Sequence, residues 1–156
     1  MPEVQVREQI PADIDNVWSL VKNVEAYPVY MSSVESIEVI ERADDFEITR
    51  WRVRLRGSVL TWTERDSFDE IAYRLEYKQT DGDLRMFEGY WQLEPVNDEI
   101  TQVELVVRFD IGIPLLTDML NPVAEAAIRD NALSMLHSLQ SAASPGGADG
   151  PVEVSS

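Results

Sequence analysis

Between Val34 and Asp110 apolar and polar residues alternate at period two, stretch after stretch, and from Asn121 the period changes to that of a helix. Alternation sends successive side chains to opposite faces of a strand. The stretches are Val4–Ile10, Val34–Glu41, Asp45–Leu55, Ser58–Asp66, Ile71–Gln79, Leu84–Glu94 and Thr101–Asp110. Trp51, Val53 and Leu55 share one face of the third, while Arg50, Arg52, Arg54 and Arg56 take the other. In the fourth, Leu60 and Trp62 share a face with Glu64 and Asp66; Thr61, Thr63 and Arg65 point away. Tyr73, Leu75 and Tyr77 line up in the fifth, and Phe87, Gly89, Trp91 and Leu93 in the sixth. Strands that are apolar on one side only fit an antiparallel sheet with one wet face.

Helices bracket these strands. Pro11-Ala12-Asp13 opens one, with Asp13 as N-cap and Ile14, Val17, Trp18 and Val21 at helical spacing. A second, short helix is expected over Val24–Tyr30, interrupted near Pro28. Leu115–Leu120 is expected to loop or to start a helix, and Asn121-Pro122 marks a fresh start for the last one. Its roughly 20 residues span about 30 Å, enough to lie across a sheet. The expected fold is α+β: a curved antiparallel sheet of about seven strands around a long C-terminal helix, with two short helices after strand 1. A straight rod and a curved sheet do not fit everywhere, so a cavity is expected between them. One domain over residues 1–142 is expected, and the Gly-, Pro- and Ser-rich 143–156 as a disordered tail.

Composition narrows the chemistry. With no Cys and only His137, disulfides, thiolate chemistry and multi-His metal sites are excluded, and no metal or cofactor is expected. Thirteen bases against 29 acids, a formal charge of −16, argue against nucleic acid and anionic membranes as partners. No apolar run approaches the roughly 18 residues of a membrane span, and Met1–Ile10 lacks the pattern of a secretory signal. A cytoplasmic protein that works through a pocket is expected.

Four stretches in this order resemble the START-like helix-grip superfamily, within it the polyketide cyclase/aromatase and coenzyme-Q-binding group. They are Pro11-Ala12-Asp13 with Val17-Trp18, Val24-Glu25-Ala26-Tyr27-Pro28, Thr61-Trp62-Thr63-Glu64-Arg65 and Phe87-Glu88-Gly89-Tyr90-Trp91. The similarity spans roughly residues 3 to 140. It implies a hydrophobic small molecule, polyketide or quinone-like, as ligand, with an acyl carrier protein as a candidate partner. It implies that Tyr27, Trp62 and Trp91 line the pocket. Arg129-Asp130-Asn131 resembles the aromatases' Arg-x-Asn, which implies that Asn131 faces the ligand. On the fourth strand those aromatases place an inward Arg where this chain has Asp66; its Arg65 comes one residue earlier, at the spacing of the coenzyme-Q-binding subgroup. A one-residue slip reverses the face. Either a bulge returns Arg65 to the pocket or the expected Arg is missing.

Glu64 and Asp66 are the sharpest catalytic candidates. A desolvated carboxyl has a raised pKa and can act as acid or base near neutrality, and aldol cyclisation with loss of water needs both. The bland alternative is a solvated strand end. Trp51, Trp62, Tyr73, Phe87 and Trp91 could stack on a flat ligand or simply fill a core, and small Gly89 leaves room beside Trp91. The Arg50–Arg56 stripe reads as the wet face, answered across the sheet by Glu76 and Glu88. His137 could cap the last turn or face the cavity mouth. Three functions stay open: a cofactor-free polyketide cyclase/dehydratase, a quinone or lipid carrier, and an interaction module with an apolar patch around Ile111–Leu120.

Overall fold

The computed structural model describes residues 2–55, 58–112 and 117–143, for 117–121 the backbone alone. β1 (Glu3–Ile10) leads into α1 (Ile14–Lys22), a 3-10 turn (Val24–Ala26) and the short α2 (Tyr27–Tyr30). Then come β2 (Val34–Arg42), β3 (Phe46–Leu55), β4 (Ser58–Asp69), β5 (Arg74–Gly82), β6 (Met86–Asn97), β7 (Ile100–Asp110) and α3 (Thr117–Ala143). The strands make one antiparallel sheet in the order β1-β7-β6-β5-β4-β3-β2. It wraps around α3, which packs on β1, β7 and β3. This is the expected helix-grip α+β architecture.

The core lies between sheet and helices. β1 contributes Val4, Val6 and Ile10; β7 contributes Val103, Leu105, Val107 and Phe109; α1 presses Val17, Trp18 and Val21 onto them. α3 closes the layer with Ile128, Ala132, Met135, Leu136 and Leu139. The Asp13 carboxylate accepts the Asn16 backbone N–H at 3.3 Å and caps α1. Asp13→Ala is expected to cost about 1 kcal/mol, read as a lower urea midpoint with an unchanged slope.

Three local expectations need correction. Ile71 does not begin a strand: it is 94% exposed, in a turn whose Ile71 and Ala72 N–H groups donate to the Asp69 carboxylate. α3 starts at Thr117 and carries Pro122 inside it, at the loss of one backbone hydrogen bond near its N-terminal end. The arginine stripe is answered by β2, its immediate neighbour. Arg50 pairs with Glu38 at 2.9 Å, and Arg52 and Arg54 share Glu35 at 2.8 and 2.9 Å. Glu76 and Glu88 sit on β5 and β6, beyond β4 from β3, and Glu76 pairs with Arg74 of its own strand. Arg56, the expected tail beyond Ala143 and the side chains at the heart of the expected Ile111–Leu120 patch lie outside the described residues.

Candidate functional site

The sheet and α3 enclose a cavity of about 50 Å³. Of the expected pocket residues, Tyr27, Trp51, Trp62, Phe87 and Trp91 line it, together with Glu64, Asp66 and Asn131. The aromatic wall is continuous. Trp51 and Trp62, directly paired across β3 and β4, stack at 5.5 Å with 12° between planes. Phe87 leans on Trp62 at 4.9 Å, and Tyr27 touches Trp51 and Trp91 at 5.7 and 5.9 Å.

Strand alternation carries the two carboxyls inward. Register pairs Glu64 with Thr49, and Asp66 with Glu47. Glu64 is 3% exposed and Asp66 0%. The Trp62 indole N–H donates to Glu64 Oε1 at 2.6 Å. The Trp51 N–H donates to Thr49 Oγ1 at 2.8 Å, and the Thr49 hydroxyl donates to Asp66 Oδ2 at 2.6 Å. Asp66 Oδ1 is buried and, apart from the neighbouring Glu64 carboxyl, finds no hydrogen-bond partner among the described residues. Burial pushes the Glu64 carboxyl well up, and the neighbouring Asp66 charge adds to this. Burial also raises Asp66, to about 6, against the hydrogen bonds from Glu64 and Thr49 that hold it down. Both shifts favour keeping a proton on the pair, more strongly on Glu64 than on Asp66. That is a base and an acid one pleat apart.

Both tyrosines of the cavity are engaged elsewhere. Tyr27 donates to Val21 O at 2.5 Å, and Tyr77 to Val106 O at 2.7 Å. Among the described residues Asn131 donates from Nδ2 to Met135 Sδ at 3.5 Å, and its Oδ1 has no partner. Among the described residues no three His, Cys, Asp or Glu side chains gather as a metal ligand set, and no helix is long and apolar enough to cross a membrane.

Two expected pocket residues lie elsewhere. A bulge does interrupt the β4–β5 ladder, but its extra residue is Thr80, on β5. β4 keeps its alternation, so Arg65 stays outside, its guanidinium 3.8 Å over the Phe46 ring. Tyr73 has φ +55° and lies in the turn before β5, so it falls outside the alternation of that strand. Its ring meets Trp18 edge-on at 6.0 Å, and its hydroxyl donates to Asp15 at 2.8 Å. His137 faces Glu8 at 3.2 Å and does not line the cavity. Thr49 was not among the expected site residues, although its place two residues before Trp51 sets it on the same face. Tyr77 was expected only as one of the inward series of β5.

Residues 10–136 match the family described as polyketide cyclase/dehydrase and lipid transport. The chain is 30% identical over 106 residues to the actinorhodin polyketide synthase bifunctional cyclase/dehydratase of Streptomyces coelicolor, 67% of this chain but only about a third, 33%, of that protein. A solved protein of Thermus thermophilus superposes with TM-score 0.84 at 29% identity, covering 89% of this chain and 94% of that one. The Zhui aromatase/cyclase of Streptomyces sp. R1128 gives TM-score 0.84 at 21% identity, covering 91% and 93%, a likeness of fold. With the family match running from the end of β1 into α3, the chain belongs to the polyketide cyclase/dehydrase and lipid transport family.

Proposed function

We propose that this protein is a cofactor-independent cyclase/dehydratase that closes a ring in a poly-β-ketone and removes water. The observation that carries the proposal is the buried Glu64–Asp66 pair, whose carboxyls burial pushes up, Glu64 the further, and which faces an otherwise apolar, aromatic cavity. The family and the Streptomyces coelicolor relative support it at the level of the reaction class.

The pair can serve both halves of such a reaction. Asp66 takes a proton from the carbon between two carbonyls. The resulting enolate carbon bonds to a distant carbonyl carbon, and the alkoxide so formed takes the proton of Glu64. The pair is now reversed, with the charge on Glu64 and the proton on Asp66. In the dehydration, Glu64 removes the remaining α-proton as the C–O bond breaks, and Asp66 delivers its proton to the departing hydroxyl. One water leaves and the pair returns to its starting state. Proton transfer of this kind contributes typically about 10²–10⁴-fold. The aromatic walls would select which carbons meet, by holding the chain close to its attack geometry.

About 50 Å³ accommodates a few solvent molecules, well below the roughly 300 Å³ of an ordinary ligand pocket. A polyketide would enter by parting the half-buried Leu55, Leu60 and Phe87 that line the cavity. Co-expression with a minimal polyketide synthase, which supplies the chain on its acyl carrier protein, tests the proposal. The expected result is a cyclised, dehydrated product that is absent without this protein. An unchanged product profile would overturn catalysis and leave hydrophobic-ligand carriage as the function.

A further inference from the structure

Among the described residues, four buried side-chain polar atoms have no hydrogen-bond partner: Tyr30 Oη, Ser33 Oγ, Asp66 Oδ1 and Asn131 Oδ1. The last two belong to residues that line the cavity. Both are acceptors. The donors around them are already engaged: Tyr27 and Tyr77 with backbone carbonyls, Thr49 with Asp66 Oδ2, Trp62 with Glu64 and Trp51 with Thr49. Thr49 ties down Asp66 Oδ2, and the Glu64 carboxyl hydrogen-bonds to the same group; among the described residues no other donor meets Oδ1. No Lys, Arg or His is among the described residues that line the cavity.

A buried acceptor without a donor is costly, and native structures rarely leave one unmet. A ligand that brings a donor removes this cost; one that brings a second acceptor adds to it. An anionic group would meet the Asp66 carboxylate in an apolar wall with no cation to offset it. An ammonium would pair with that charge, but it must shed its hydration to enter an apolar cavity and brings three N–H groups to two open acceptors. A hydroxyl brings one donor and no charge.

We infer that the group a bound ligand buries deepest is an uncharged hydroxyl, phenolic or enolic, donated to Asp66 Oδ1, and that the cavity rejects ligands whose inner end is a carboxylate. This rests on the cavity being the ligand site, as in the cyclase proposal, and adds which end of the ligand goes in first. An enolised β-diketone presents such a hydroxyl, next to the carbon whose proton has to move.

Calorimetric titration of the full chain with four single-ring probes tests this: resorcinol, 1,3-dimethoxybenzene, benzoate and benzylamine. Fluorescence of Trp51, Trp62 and Trp91, which line the cavity, reports where a probe binds. Resorcinol is expected to bind about tenfold more tightly than its dimethyl ether, the range for a hydrogen bond to a charged group. Benzoate and benzylamine are expected not to bind. In Asp66→Asn, which keeps the shape and removes the charge, the preference for resorcinol is expected to shrink severalfold. Equal binding of resorcinol and its ether would overturn the inference. So would tightest binding by benzoate or benzylamine, an undiminished preference in Asp66→Asn, or no binding by any probe. Resorcinol binding with an unchanged product profile would instead overturn only the cyclase proposal.

Discussion

Neutralising the buried pair, Glu64→Gln with Asp66→Asn, is expected to lower cyclised product at least 100-fold and to make the fold more stable above pH 6. The two effects have one cause. The Asp66 carboxyl rises from 3.8 in the unfolded chain to about 6 in the folded one, mainly through burial. The native state therefore holds that proton more tightly than the unfolded state. Below about pH 4 both states are protonated and Asp66 contributes no difference. As pH rises from there through 6 the unfolded chain releases its proton first, so stability falls with rising pH. The loss is complete above the folded pKa and amounts to about 3 kcal/mol. Glu64, raised further by burial and by the Asp66 charge, adds a loss of the same sign at higher pH. Amides do not titrate, so the double variant should lack both. Urea unfolding of the two proteins at pH 4.5 and 7.5 makes the comparison: the native chain should weaken between them relative to the variant. Parallel pH profiles would show that the carboxyls are not desolvated in the folded protein. A buried acid pair kept at a cost to stability is the pattern expected of a working site.

Gly89→Ala is expected to destabilise the protein by about 3–5 kcal/mol, from overpacking and a broken buried hydrogen bond together. Gly89 lies on β6 opposite Val107 and Tyr77. A methyl group there would stand 1.8 Å from Val106 O and 2.6 Å from the Tyr77 hydroxyl. These are the two atoms joined by the 2.7 Å hydrogen bond that holds the Tyr77 ring at the cavity wall. Neither can yield freely, because Val106 O belongs to the backbone of β7, which is laddered to β1 on one side and β6 on the other. The substitution must push the β6–β7 ladder apart or expel the tyrosine. A loss below about 1 kcal/mol in urea unfolding would show that the close approach is not a constraint. Tyr77→Phe provides the companion measurement. It leaves the Val106 carbonyl without its buried donor and should cost about 1–3 kcal/mol, less than Gly89→Ala.

Gly89 also shows where local pattern stops being informative. A small residue beside Trp91 looks, in sequence, like space left for a ligand. In the fold that space is taken by the Tyr77 hydroxyl and the Val106 carbonyl, which come from other strands. The arginine stripe behaves likewise. That Arg50, Arg52 and Arg54 face water follows from alternation alone, but their partners depend on which strand lies next to β3, and that is β2.

By itself, the sequence determined the order of the elements, the face each strand buries and hence the inward aim of Trp62, Glu64 and Asp66. Period two and period 3.6 are local properties of the backbone, and a half-buried sheet amplifies them. Tertiary structure decided what depends on pairing distant segments. The bulge at Thr80 fell on β5, so β4 kept its register and Arg65 remained outside. The left-handed backbone of Tyr73, in the turn before β5, carried its side chain over to α1. Thr49, two strand positions from Trp51, became the link that accepts from the Trp51 indole and donates to Asp66 on the next strand. Register, bulge placement and hydrogen-bond satisfaction are set as the sheet closes around α3, and no single strand carries the information that decides them.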